Sequence, residues 1–245
     1  MKLKTISLFL SLVLITSVSY GQRFFNVTFG IPKIEWDYDG NFDGLRTVNR
    51  NSWSIGISVM KKTPDNWIYG AEAGINRFGN VFRFANAIHH ISSLSYFYAS
   101  PFVEYELNIP NTKISIIPKI CLSAGFIPLK DQYYIDDMSF QSFRRTYKDS
   151  DGNLISEPLY DLTYTGSQII ENNILLQINP ELEFHYQLND VSSIFLNVKA
   201  GISLRKDVVK REFSEIIYEG ENYHATHDSS LSFTMIGLGY QFQLR

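Results

Sequence analysis

Few residues of this 245-residue chain are spaced so that they could do chemistry together. His90 and Ser92 flank Ile91, and Glu104 follows twelve residues later. A base, a hydroxyl and a carboxylate are the parts of an acyl-transfer site, provided they share hydrogen bonds. Asp39-Gly40-Asn41-Phe42-Asp43-Gly44 fits the first half of a calcium loop, with Asp39, Asn41 and Asp43 as oxygen ligands. The twelfth position, where a bidentate Glu should close such a loop, is Arg50, so a plain acidic turn is the expectation. Asp149-Ser150-Asp151-Gly152-Asn153 has its glycine too early for calcium and reads as a hairpin tip. His224 and His227, beside Glu221 and Asp228, offer nitrogen ligands, but a solvated loop is the expected setting. Cys121 is the single cysteine, which excludes a disulfide framework and is most simply a small core residue. No metal or cofactor is expected.

The other charged candidates take their meaning from the elements that carry them. After residue 22 the recurring pattern is period-two alternation, the mark of strands with unlike faces. It runs through residues 25–31, 53–59, 67–76, 97–107, 114–124, 174–186, 194–203 and 236–244, eight strands in all. Each is close to the 9–11 residues that a tilted membrane strand needs. One face is aliphatic and aromatic. The other carries small and polar residues, among them Glu72, Glu104, Lys119, Glu181, Glu183 and Lys199. Counted from the turns, Lys119, Glu181 and Lys199 should share one height, with Glu72, Glu104 and Glu183 slightly lower. Acid–base catalysis or an ion path is one reading of these residues. Buried charges must be paired, so a salt-bridged plug is the expectation.

Connections alternate strictly between tight turns, at 62–66, 108–112 and 189–192, and long loops, at 35–51, 77–92, 127–171 and 205–228. Antiparallel outer-membrane barrels sort their loops in this way, short on the periplasmic side and long outside. Phe25, Trp67, Tyr69, Tyr105, Tyr186, Tyr240 and Phe242 then fall near the short-turn end of the apolar face, as an aromatic girdle, with Trp53 on the opposite rim. A soluble barrel such as a lipocalin would turn its apolar face inward.

Composition agrees with a two-faced sheet. Aromatics at 15% exclude disorder, and a net charge of −3 gives nucleic acid no basic surface to meet. Mean hydropathy is near zero, because uncharged polar residues balance the apolar ones. Residues 1–21 read as a signal peptide: Lys2 and Lys4 precede an apolar run over 6–15, then small residues stand at the −3 and −1 positions before Gln22. That run is too short to cross a bilayer. Residues 22–245 form the barrel domain.

On this alternation and on its last strand, Ser232 to Phe242, the chain resembles the small OmpA/OmpX-type outer-membrane barrels, in the broad outer membrane β-barrel domain group that includes PorT-like proteins. The resemblance implies an all-β, eight-stranded antiparallel up-and-down barrel in the cell outer membrane. It also implies outer membrane lipids as surroundings and the barrel assembly machinery as a partner during insertion. The strand departs from the family pattern by carrying Gln243-Leu244-Arg245 after its final aromatic. A PorT-like role would be that of an accessory subunit in a secretion or motility system. Barrel lipid A deacylases share a His-x-Ser pair with a distant Glu, which makes a lipid-modifying hydrolase the enzymatic alternative. Here the Asn that follows their Ser is missing. Ser92 and Glu104 also lie on one extended segment, about 40 Å apart at 3.3 Å per residue. The expectation is a non-catalytic protein with external loops for surface interaction or envelope integrity. The loop at 127–171 is too long to be structureless. Residues 140–147 and 154–164 should form two strands hinged on 149–153. Their neighbourhood carries Tyr133, Tyr134, Arg144, Arg145, Tyr147, Tyr160 and Tyr164, a composition suited to a surface or envelope protein partner.

Overall fold

The computed structural model describes residues 22–42, 45–84, 87–128, 133–140, 144–158, 162–206, 208–218 and 220–244. Side chains at 82, 84, 87–92, 133–140, 144–147, 156–158 and 162–163 are outside that description. The expected signal peptide, Asp43 and Tyr160 lie outside the described residues. In chain order the strands are β1 (Gln22–Ile34), β2 (Asp37–Gly40), β3 (Leu45–Asn49), β4 (Trp53–Lys62), β5 (Trp67–Phe84) and β6 (Ala87–Tyr105). There follow β7 (Leu107–Asn108), β8 (Ile114–Phe126), β9 (Tyr133–Phe140), β10 (Arg144–Lys148), β11 (Leu154–Pro158) and β12 (Leu162–Ile170). The last five are β13 (Ile174–Asn189), β14 (Ser192–Ser203), β15 (Val209–Tyr218), β16 (Glu221–Ser229) and β17 (Phe233–Leu244).

Eight long strands, β1, β4, β5, β6, β8, β13, β14 and β17, pair antiparallel with their neighbours, and β13 closes on β8. Across the middle of the barrel their burial alternates; β8, for one, runs exposed-buried from Leu122 to Phe126. The exposed set is apolar. Ile31, Leu122, Ile236 and Leu238 are each at least 60% exposed. A closed backbone leaves no unpaired edge, and a contiguous apolar exterior of this size has no place in water. The chain is an eight-stranded transmembrane β-barrel of the outer membrane.

The girdle residues occupy one rim. Trp67 faces Tyr105 across β5 and β6, and Phe25 faces Phe242 across β1 and β17, with ring centroids 5.0 and 5.1 Å apart. Tyr69, Tyr186 and Tyr240 are about half exposed on the same rim. Its turns are built on asparagine. Asn66 and Asn111 take the left-handed backbone at φ +65° and +60°, which Asn tolerates better than most residues. In the third, Asn189 Oδ1 accepts from the Val191 amide at 3.0 Å.

The segments read as long loops are mostly strand. Residues 77–92 continue the β5–β6 hairpin, with pairing up to Phe84 and Ala87. The region 127–171 holds four strands rather than two: β10 and β11 form a separate hairpin on the 149–153 tip, while β9 and β12 pair with each other. Order β2-β16-β15-β12-β9 makes a second, five-stranded sheet beyond the outer rim. Its core is Phe42, Leu45, Tyr164, Phe213, Ile216 and Ala225. The outer mouth of the barrel is filled by Ile34, Phe78, Leu94, Ile127, Leu175, Val208, Val209, Leu231 and Phe233, all buried. Leu231 holds φ +59°, uncommon for a leucine, and is fixed there by Gln177 Nε2 donating to its carbonyl at 2.9 Å.

Candidate functional site

Period two turns Glu72 of β5, Glu104 of β6, Lys119 of β8, Glu181 and Glu183 of β13 and Lys199 of β14 into the lumen, where all six are buried. The barrel brings them into one cluster. Lys119 Nζ lies 3.0 Å from Glu72, 3.3 Å from Glu183 and 3.4 Å from both Glu104 and Glu181. Lys199 Nζ is 2.7 Å from Glu72 and 3.6 Å from Glu181. Lys119 also stands 4.4 Å from the Phe102 ring centre. Glu104 and Glu181 are both register partners of Lys119, so Glu104 shares its level instead of lying below it.

Other members carried no charge signal in the sequence. Tyr98 donates to Glu72 at 2.8 Å, and the Asn197 amide donates to Glu181. His185 Nε2 lies 2.6 Å from Glu183 and its Nδ1 lies 3.2 Å from the Ser193 hydroxyl. The imidazole is stacked on Phe195, at 4.5 Å and 6°. Gly239 leaves the room that this phenyl ring needs. Above the charges, Asn76 donates to Tyr96 at 2.6 Å, Tyr96 to Gln177 at 3.1 Å, and Gln177 to the Leu231 carbonyl. Each of these residues stands at an inward position of its strand, so parity alone could have found them. Their partners across the lumen could not be read in that way.

At the short-turn end a cavity of about 300 Å³ opens between the turns, lined by carboxamides and hydroxyls including Gln187, Ser193 and Gln241. His185 lines it too, so the imidazole joins this vestibule to the charged layer. Toward the outside the apolar plug covers the network.

Chemically the cluster is a buried ion-paired network. Four carboxylates compete for two ammonium groups inside a buried interior, and each finds at least one ammonium within 3.4 Å. Removing one partner from such a set leaves buried charge uncompensated. Donor atoms of Glu72, Cys121 and Glu181 come within 4.8 Å of one another, a spacing a metal ion could use. Lys119 and Lys199 already bind both of those carboxylates, and a second cation there would face two ammonium charges. Cys121 is buried and free.

The remaining candidates do not converge. Ser92 and Glu104 sit on one strand, opposite Asn80 and Ile68 of β5, at its two ends. His90 and Ser92 have side chains outside the described set. Asp39 lies in β2 opposite Thr226, and Asn41 Oδ1 accepts from the His224 amide at 2.8 Å. His224 and His227 are in a strand, β16, and not in a solvated loop; His224 is exposed and His227 buried. Three residues apart on a strand, they face opposite sides.

His227 instead packs at the base of the external sheet, between the Trp36 and Tyr38 rings, with Thr47 Oγ1 3.2 Å from its Nδ1. Burial, then the nearby Arg211 charge, push its pKa down to about 4. Arg211 lies 4.3 Å over Trp36 and donates to Gln168 at 2.6 Å, and burial brings it down to about 9. Burial pushes the Tyr164 hydroxyl up to about 12. At the hairpin tip, amides of Asn153 and Asp151 donate to Asp149 and lower its carboxyl below the usual range.

No protein-family model matches the chain, and no curated protein does. It is similar in fold to solved outer-membrane barrels. OprG from Pseudomonas aeruginosa aligns at 13% identity over 91% of this chain and 96% of its own, with a TM-score of 0.48. A major outer membrane protein from Thermus thermophilus aligns at 11% identity over 91% of this chain and 99% of its own, with a TM-score of 0.42.

Proposed function

We propose that this outer-membrane barrel is non-catalytic, that its lumen is a structural strut, and that its working surface is the external sheet. The observation that carries this reading is the five-stranded sheet with a hydrophobic core of its own, standing over a barrel mouth filled by apolar side chains. A connecting loop needs no such core. The sheet presents aromatic surface as well: Tyr38 is 40% exposed, and Tyr218 and Tyr223 pack against Phe42 while remaining half-buried. Its partner is a surface or envelope protein, and the same surface would serve an accessory subunit of a secretion or motility machine.

Three measurements test the proposal. In planar bilayers the purified protein should give no steady single-channel current, and a large current would overturn the strut. Mild cross-linking in cells, followed by co-purification, should capture a defined envelope protein through the external sheet. Capture of several components of one machine favours the accessory role. A changed lipid A acyl pattern in a deletion strain, seen by mass spectrometry, would overturn the non-catalytic reading.

A further inference from the structure

Above the lipid-facing band, one wall of the barrel carries four arginines in a column: Arg77, Arg50, Arg46 and Arg83. Ile55 of β4 and Ile75 of β5 are register partners on the apolar exterior. One rung outward on the same face, Trp53 is the partner of Arg77. Beyond it β3 takes over from β4 along the edge of β5, with its register slipped by one residue. The slip falls across residues 50–52, where Asn51 adopts φ +57° and the Arg50 amide donates to the Gly79 carbonyl at 2.7 Å. Its effect is to bring Arg46 and Arg83, as direct register partners, onto the face that carries Arg77.

All four arginines are exposed, and none makes an ion pair with any described residue; among the described residues Arg77 alone has a side-chain partner, donating to the Ser93 hydroxyl at 3.4 Å. Glu35, exposed past the end of β1, pairs with none of them. Like charges directly opposite on a ladder repel each other and destabilise it. Arg46 facing Arg83 is a cost that the chain bears with no internal compensation among the described residues.

We propose that this column binds the phosphorylated head of an outer-leaflet glycolipid. Guanidinium is the side chain best matched to phosphate, which it can grip with two parallel hydrogen bonds. The lowest arginine stands one rung above exposed aliphatic wall, where a lipid with its acyl chains on Ile55 and Ile75 places its first phosphate. Arg83 is six residues higher, about 20 Å at 3.3 Å per residue, so the column follows a head with acidic groups spread along an oligosaccharide. Free phosphate shares the chemistry but gains nothing from the position.

The test uses the folded full-length protein in detergent, titrated with bis-phosphorylated lipid A and read by native mass spectrometry. Wild type should retain the lipid. The triple variant R46Q/R77Q/R83Q, which leaves the register slip at Arg50 untouched, should bind at least tenfold more weakly. K113Q, an equal loss of charge per residue at the opposite rim, should leave binding unchanged. Dephosphorylated lipid A should bind wild type no better than phosphorylated lipid binds the triple variant, and millimolar inorganic phosphate should not displace the lipid. Equal binding by wild type and the triple variant, or equal loss in K113Q, overturns the site. Displacement by inorganic phosphate overturns the lipid as its occupant. The substituted residues are exposed, and a heat-dependent gel shift in every variant confirms that each is folded.

Discussion

Lys119 is the residue on which the lumen turns, since four carboxylates depend on it. Lys119→Met should destabilise the barrel by about 3–5 kcal/mol, the usual cost of stripping one partner from a buried ionic set. The folded gel band should convert at a lower temperature, still without any conductance. His227 makes a prediction of opposite character, tied to pH. Its folded pKa of about 4 lies below the ordinary 6.5, so the fold favours the neutral ring and the unfolded chain binds the extra proton. Stability is therefore full above pH 6.5 and is lost as pH falls toward 4. Amide-exchange protection in β16 and β2 should fall across that window, and His227→Phe should flatten the dependence. The lumen charges were legible in the sequence because parity placed them, and their mutual pairing follows from narrow barrel geometry. His185 and Tyr98 were not, because an inward histidine or tyrosine looks the same whether or not a carboxylate stands across from it.

Among the elements, the eight barrel strands were legible, since each meets lipid on one side and lumen on the other. Apart from the hairpin around 149–153, the external strands read as loops in the sequence because that contrast disappears there. Phe78, Asn80 and Val81 are all buried, which erases the alternation at the top of β5. Register breaks at Thr165/Gly166 and Phe213/Ile216 disturb the period in β12 and β15 as well. Not all these strands matter equally. β10 and β11 pair only with each other among the described strands, so replacing Arg144–Pro158 with a short Gly-Ser linker should leave the barrel's thermal conversion within a few degrees of wild type. Replacing Val209–Ser229 should lower it clearly, because Val209 belongs to the plug itself. Gel migration of both variants after graded heating separates these outcomes.

At the scale of the whole molecule, the three tryptophans mark three depths: Trp67 on the girdle rim, Trp53 level with the lowest arginine of the column, and Trp36 between β1 and β2 at the base of the external sheet. Lipids brominated near the headgroup should quench Trp53 and Trp67 in single-tryptophan variants and leave Trp36 unaffected. Quenching of Trp36 would place the external sheet within the bilayer. The closure of the cylinder has a consequence for how it is made. β1 and β17 meet from Arg23↔Leu244 to Ile34↔Phe233, the two ends of the described chain. Until the last strand is synthesised, every intermediate has a bare hydrogen-bonding edge that hydrocarbon cannot satisfy. Folding in order from the N-terminus is therefore barred from the bilayer interior. The seam between these two strands is the last that can close, and until it does both of their edges stay open.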